Sequence, residues 1–129
     1  MSLDNSIYVK RKDSEKIILP SFIKSVYEND ENRIEIAYWR KCWGIRNEII
    51  KNLGGENNTG LYILGLDDLE NIINILRKFL DKEYWDLWAD SIWEYEKFIK
   101  NSAQYLINLT WLYGYATHND VTIEFYDSY

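Results

Sequence analysis

The stretch IEIAYWRKCWGIRNEIIKNL, residues 34–53, decides how this chain is read. At about 100° per residue, Ile34, Tyr38, Cys42, Ile45, Ile49 and Leu53 fall within one arc, the recurrence that buries one face of a helix. Trp39, Trp43, Arg46 and Ile50 lie on its flank, the first three at i, i+4 and i+7. Arg40, Lys41, Gly44, Asn47, Glu48 and Lys51 take the remaining side. The spacing therefore predicts one amphipathic helix over 34–53, closed by Gly54-Gly55 as a left-handed cap.

Upstream, Ile7-Tyr8-Val9 followed by Lys10-Arg11-Lys12 reads as a short strand whose charged end suits a sheet edge. Pro20 before Phe22, Ile23, Val26 and Tyr27 suggests a short helix with proline in its first turn. Downstream of the polar residues 56–60, Leu61-Tyr62-Ile63-Leu64 is strand-like. Asp67-Asp68-Leu69-Glu70 carries the acidic N-cap pattern of a helix with a buried stripe of Leu69, Ile72, Ile73, Leu76, Phe79 and Leu80.

Residues 81–89 read as either a helical turn or a short extended piece. From residue 90, Ile92, Tyr95, Ile99, Leu106, Leu109 and Tyr113 mark a long helix to about Leu112, thinned at Ser102 and Ala103 where another element can pass close. Gly114 and Thr117-His118-Asn119-Asp120 are expected to end it. Residues 121–126, VTIEFY, alternate as a half-buried strand does. The sum is one α+β domain, a small, mainly antiparallel sheet of about three strands covered by three main helices.

At 129 residues, with 47% hydrophobic, 16% aromatic and 28% charged side chains, the chain can bury a core of its own and lacks the composition of disorder. Its single cysteine excludes an internal disulfide and a cysteine-pair zinc site. That usage, an amino terminus without a signal-like apolar core and no spanning run predict a cytoplasmic location.

Charge is uneven. Residues 1–53 carry 10 basic and 8 acidic side chains, a net of +2, whereas residues 54–129 carry 5 and 13, a net of −8, within the overall −6. Such a surface opposes non-specific nucleic-acid binding, which depends on Lys and Arg displacing counterions. Acidic surface also serves simply to keep a tryptophan-rich chain soluble.

The segment Tyr38-Trp39-Arg40-Lys41-Cys42-Trp43-Gly44-Ile45-Arg46 resembles a family of small bacteriophage and prophage proteins with a Tyr-Trp-Arg-Lys motif. In that family the motif is followed by Ala-Asn, a small or polar residue, Ile and usually His. Tyr38, Trp39, Arg40, Lys41 and Ile45 match; Cys42, Trp43 and Arg46 replace the usual alanine, asparagine and histidine. Further blocks correspond in order at 61–80, 93–107 and 125–129, while 81–93 lacks the family's Gly-Phe-Phe turn. The resemblance implies phage origin and a cytoplasmic location, and no particular chemistry.

Two candidate surfaces emerge. Trp39, Trp43, Arg46 and the neighbouring Arg40 could stack an aromatic ring and hold a phosphate or carboxylate. The structural alternative has the tryptophans closing the core edge, Arg46 lying across them with its charge in water, and Arg40 in a salt bridge. Trp85, Trp88, Trp93 and Tyr95, interleaved with Asp86, Asp90, Glu94 and Glu96, form an acidic-aromatic candidate suited to a basic protein partner. Trp88, Ile92 and Tyr95 also fit a core stripe, so only part of that cluster can face outward.

Catalysis, a metal and a cofactor are not expected. His118, the only histidine, lies beside Asp120 in a polar turn, Cys42 falls on the core arc, and the carboxylates show no metal or acid-base spacing. The leading expectation is a binding protein that inhibits a host or defence protein handling nucleic acid, as DNA-mimicking inhibitors and anti-CRISPR proteins do. The alternatives are a protein sequestering a small ligand or nucleotide, and a toxin-neutralising immunity protein.

Overall fold

Residues 34–53 are not one helix. The computed structural model describes residues 3–28, 33–55, 60–81 and 92–128, and in it the stretch divides into strand β3 (Ile34–Arg40) and helix α1 (Trp43–Asn52). The break is at Lys41, whose φ of 56° is left-handed, and its N–H donates to the Leu3 carbonyl at 2.7 Å. The helical arc was a coincidence of periods. Ile34, Ile36, Trp39 and their β-branched and aromatic neighbours also suit a pleated surface, and pairing with a distant strand outweighs the local pattern. The predicted cap does form: Gly54 has φ +69°, and the Gly54 and Gly55 N–H groups return to the Lys51 and Ile50 carbonyls in a Schellman motif.

Among the described residues five strands form one antiparallel sheet in the order β2-β3-β1-β5-β4. They are β1 (Asp4–Arg11), β2 (Tyr27–Glu28), β3, β4 (Gly60–Leu64) and β5 (Val121–Ser128). The run around Ile7 is therefore a central strand, not an edge, because β3 and β5 flank it on both sides. The α+β class stands, with a sheet wider than the three expected strands. Pro20 starts no helix; the Ile23 N–H donates to the Pro20 carbonyl in a turn, and the chain goes on to the two-residue β2.

Helices α1, α2 (Leu66–Leu80) and α3 (Ile92–His118) pack on one face of the sheet. Helix α2 starts earlier than its acidic residues suggested: Gly65 is the N-cap, and its N–H donates to Asp68 Oδ2 at 2.8 Å. Helix α3 runs through the exposed Gly114 to His118, and the Asn119 side chain then donates to the Tyr115 carbonyl at 2.9 Å.

Between sheet and helices lies one apolar cluster. Ile7, Val9, Ile36, Ile45, Ile49, Leu69, Leu76, Leu109, Leu112 and Phe125 are essentially inaccessible within it. Gly44 is required here, since a Cβ at that position would come within 2.9 Å of the Phe79 ring, which is itself buried. Register between β1 and β3 shifts at Ile7/Tyr8, leaving Ile36 without a directly facing residue. The buried Asn108 of α3 accepts that disruption: its Nδ2 donates to the Ile36 and Lys24 carbonyls, each at 2.9 Å. One amide thus ties α3 to the bulge and to the segment before β2.

Candidate functional site

Arg46 is placed one turn into α1 and points toward the sheet, where only 1% of it is exposed. Its Nη2 lies 2.7 Å from Asp127 Oδ2 and its Nε 3.0 Å from Oδ1, a forked pair with a carboxylate that is also fully buried. Asn5 faces Asp127 across the β1–β5 ladder and donates to Oδ1 at 2.8 Å. Arg46 Nη1 reaches the Asn47 side-chain oxygen at 3.1 Å, and the guanidinium carbon stands 5.8 Å from the Trp43 ring. Among the described residues Asn5 Oδ1 is buried with no hydrogen-bond donor. Arg46 therefore does not hold its charge in water, as the structural alternative had it.

Trp39 belongs to β3 and faces α3. It is 3% exposed, donates its indole N–H to Ser102 Oγ at 3.3 Å and meets Tyr105 edge-on with ring centroids 5.5 Å apart. Ser102 is where the helix stripe thins, and the indole occupies the space. Trp39, Trp43 and Arg46 consequently share no helix flank: the spacing argument for a three-residue clamp fails with the helix on which it rested.

Trp43 remains on the surface, 42% exposed. It borders an open cleft of about 690 Å³ together with Arg46, Asn47, Ile50, Lys51 and the Gly54-Gly55 turn. Arg40 is exposed at the end of β3, across from Asp4. Cys42 precedes α1, half-buried, with its thiol 3.6 Å from the Arg40 carbonyl, and packs against the core.

Of the acidic-aromatic candidates, Trp85, Asp86, Trp88 and Asp90 lie outside the described residues. Trp93 and Glu94 fall in the first turn of α3, with their side chains also outside the description, as is that of Tyr95. Glu96 is exposed on the same helix. Asp67 and Glu70 on α2 are exposed as well, so acidic positions of the second half do reach the surface. His118 is exposed at the end of α3. Among the described residues no group of three His, Cys, Asp or Glu side chains is placed to hold a metal, and no helix is long and apolar enough to cross a membrane.

A surface not anticipated lies on the sheet face opposite the helices. Tyr8 and Tyr126 meet edge-on at 5.3 Å. Arg33 stacks on Tyr8 at 4.0 Å and donates from Nη1 to the Tyr126 hydroxyl at 3.0 Å. Burial, then Glu35, raises the Tyr8 hydroxyl above its ordinary range. Nearby, the Tyr38 hydroxyl donates to Asp4 Oδ1 at 2.5 Å, and that bond pushes its pKa up to about 12. Leu61 and Ile63 of β4 extend this face, paired in register with Tyr126 and Glu124. Alternation in residues 121–126 marked a half-buried strand, but not the strands beside it.

Comparison of the chain with models of known families, with curated proteins and with solved structures finds no match in any of the three.

Proposed function

We propose that this is a phage- or prophage-encoded protein that works by binding, engaging a host or defence protein through a basic surface on that partner and inhibiting its handling of nucleic acid. One contrast supports this reading above the others. The cation best placed to hold an anionic ligand, Arg46, is withdrawn into a buried pair with Asp127, whereas Asp67, Glu70 and Glu96 stand exposed in the half of the chain that carries a net of −8. Exposed carboxylates steer a positively charged partner and oppose nucleic acid itself. The Tyr38-Trp39-Arg40-Lys41 motif supports phage origin and has a scaffold role in the same reading: Trp39 anchors β3 to α3, and Lys41 makes the left-handed turn into α1.

The test is affinity capture from bacterial lysate at about 50 and 200 mM salt, comparing the wild-type chain with a triple variant Asp86→Lys, Asp90→Lys, Glu96→Lys. A specific partner held at low salt, weakened at moderate salt and lost with the variant is the expected result. Recovery of background proteins alone at both salts defeats the proposal.

A second reading, small-ligand capture, keeps one observation in its favour, the cleft beside exposed Trp43. An aromatic ligand seated there would change tryptophan fluorescence, and the change would disappear in Trp43→Phe. A silent nucleotide panel would discard it.

A further inference from the structure

Arg11 ends β1 against the last turns of α3, its Nη1 3.0 Å from the Tyr115 hydroxyl and 3.3 Å from Asn119 Oδ1. A turn follows, with Ser14 at φ 64°, and the chain returns along the helix. Gln104 Nε2 donates to the Phe22 carbonyl at 3.2 Å and Asn108 Nδ2 to that of Lys24 at 2.9 Å. Residues 12–25 thus form a strap beside α3. Ile17 and Ile23 are buried beneath it and Leu19 packs on the core, which leaves Ile18 and Phe22 outside, 87% and 58% exposed. Phe22 sits at the corner of the Pro20–Ile23 turn, where small or polar residues are usual. Ile107, one turn from Gln104 on α3, is exposed as well. Every residue of the two stretches, 10–26 and 98–120, is described.

Charge changes sign on this side of the molecule. Residues 10–26 and 100–120 carry 6 basic and 3 acidic side chains, a net of +3, so the other 91 residues carry 9 and 18, a net of −9, within the overall −6. Asp13 and Asp120 are paired locally with Arg11 and Lys12. Lys16, Lys24 and Lys100 are exposed and, among the described residues, in no salt bridge; Glu15 is the remaining carboxylate of the patch, and Glu96 lies a turn beyond Lys100.

We propose that this face docks on an anionic lipid surface without crossing it, Ile18 and Phe22 entering the headgroup layer and Lys16, Lys24 and Lys100 meeting the lipid phosphates. The local positive charge calls for an anionic occupant, and the shape selects lipid. Apolar side chains that project from a strap need a matching recess in a protein partner, whereas a fluid headgroup layer closes around a projection of any shape. Lysine stems lie along such side chains and keep their ammonium groups at the phosphates. The overall −6 does not prevent approach, because at physiological salt charges beyond roughly 8 Å are largely screened and the lysines in contact dominate. Repulsion of the acidic remainder by the same surface orients the protein on it.

Co-sedimentation with vesicles tests this, using phosphatidylcholine alone and phosphatidylcholine with about 40% phosphatidylglycerol. The full chain is expected to sediment with the anionic vesicles at about 0.05 M salt, at least about fivefold less tightly at about 0.5 M, and not with phosphatidylcholine alone. Lys16→Gln with Lys24→Gln weakens binding about 25-fold, roughly fivefold for each charge removed. Ile18→Ser with Phe22→Ser weakens it at least about tenfold. All four side chains are exposed, so the circular dichroism melts of both variants stay with the wild type. Asp67→Asn with Glu70→Asn, on α2, does not weaken binding. A wild type that ignores anionic vesicles at low salt overturns the proposal, and so does equal binding to both vesicle types. Binding unchanged in the two patch variants overturns it too, since the contact then lies elsewhere. If vesicles are ignored while Ile18→Ser with Phe22→Ser loses an acidic protein from lysate capture, the patch is a protein interface and the lipid reading falls.

Discussion

Arg46 and Asp127 offer the sharpest test of how this fold is held together. Both are almost inaccessible, joined by a forked bond with a 2.7 Å contact, and Asn5 donates a further hydrogen bond to the carboxylate. Arg46→Met removes the cation from a buried carboxylate that keeps its bond from Asn5, and Asp127→Leu removes the forked carboxylate from a buried guanidinium. Each is expected to cost about 3–5 kcal/mol, a large share of the roughly 5–15 kcal/mol by which such a domain is stable. The double variant exchanges two charges for apolar side chains and is expected to recover most of that loss, because desolvation of the pair disappears with it. Urea unfolding followed by tryptophan fluorescence reads the difference: at about 2 kcal/mol per M, each single change lowers the midpoint by roughly 1.5–2.5 M. Single variants shifted by less than about 0.5 M, or a double variant equal to the sum of the two, would refute the reasoning.

Two further outcomes follow from individual contacts. Because the folded-state pKa of Tyr38 is raised from 10.0 to about 12 by its bond to Asp4, the native state keeps a proton that the unfolded chain loses. Stability from this group is therefore full below pH 10 and lost as pH rises toward 12; Tyr38→Phe should flatten that part of the pH profile in denaturation measured at pH 9 and 11. Asn108→Ala strips the Ile36 and Lys24 carbonyls of their shared donor and is expected to cost about 1–3 kcal/mol for each carbonyl left buried without one, measured by thermal unfolding. A loss below about 0.5 kcal/mol would mean that water replaces the amide freely.

Helices α2 and α3 and strand β5 were legible because each presents an unambiguous period over enough residues, Leu69 to Phe79 at helical spacing and Val121 to Tyr126 at strand spacing, and β4 as a short apolar run between polar residues. Residues 34–40 were not. Their apolar positions fit a helix arc and a strand face alike, and the deciding term was the distant pairing of Asn5 with Trp39 and Ile7 with Ala37. The candidate site followed the same division. Trp43, placed on the helix flank, is on α1 and exposed, but Trp39 was assigned to that same helix and lies instead on a strand facing Ser102. The charge asymmetry was visible as a count, and the seclusion of Arg46 was not.

By itself, then, the chain's sequence determined the α+β class, the caps at Gly54-Gly55, the acidic second half and the two long helices, all of which depend on composition or on neighbours a few residues apart. Only the tertiary structure decided that β1 is central, that the Tyr38-Trp39-Arg40-Lys41 motif is a strand turning into a helix, and that Arg46 is a core residue instead of a surface cation. Those outcomes rest on pairs such as Arg46 with Asp127, separated by most of a domain in sequence. Their energies exist only once the sheet register has brought them into contact and excluded water from between them.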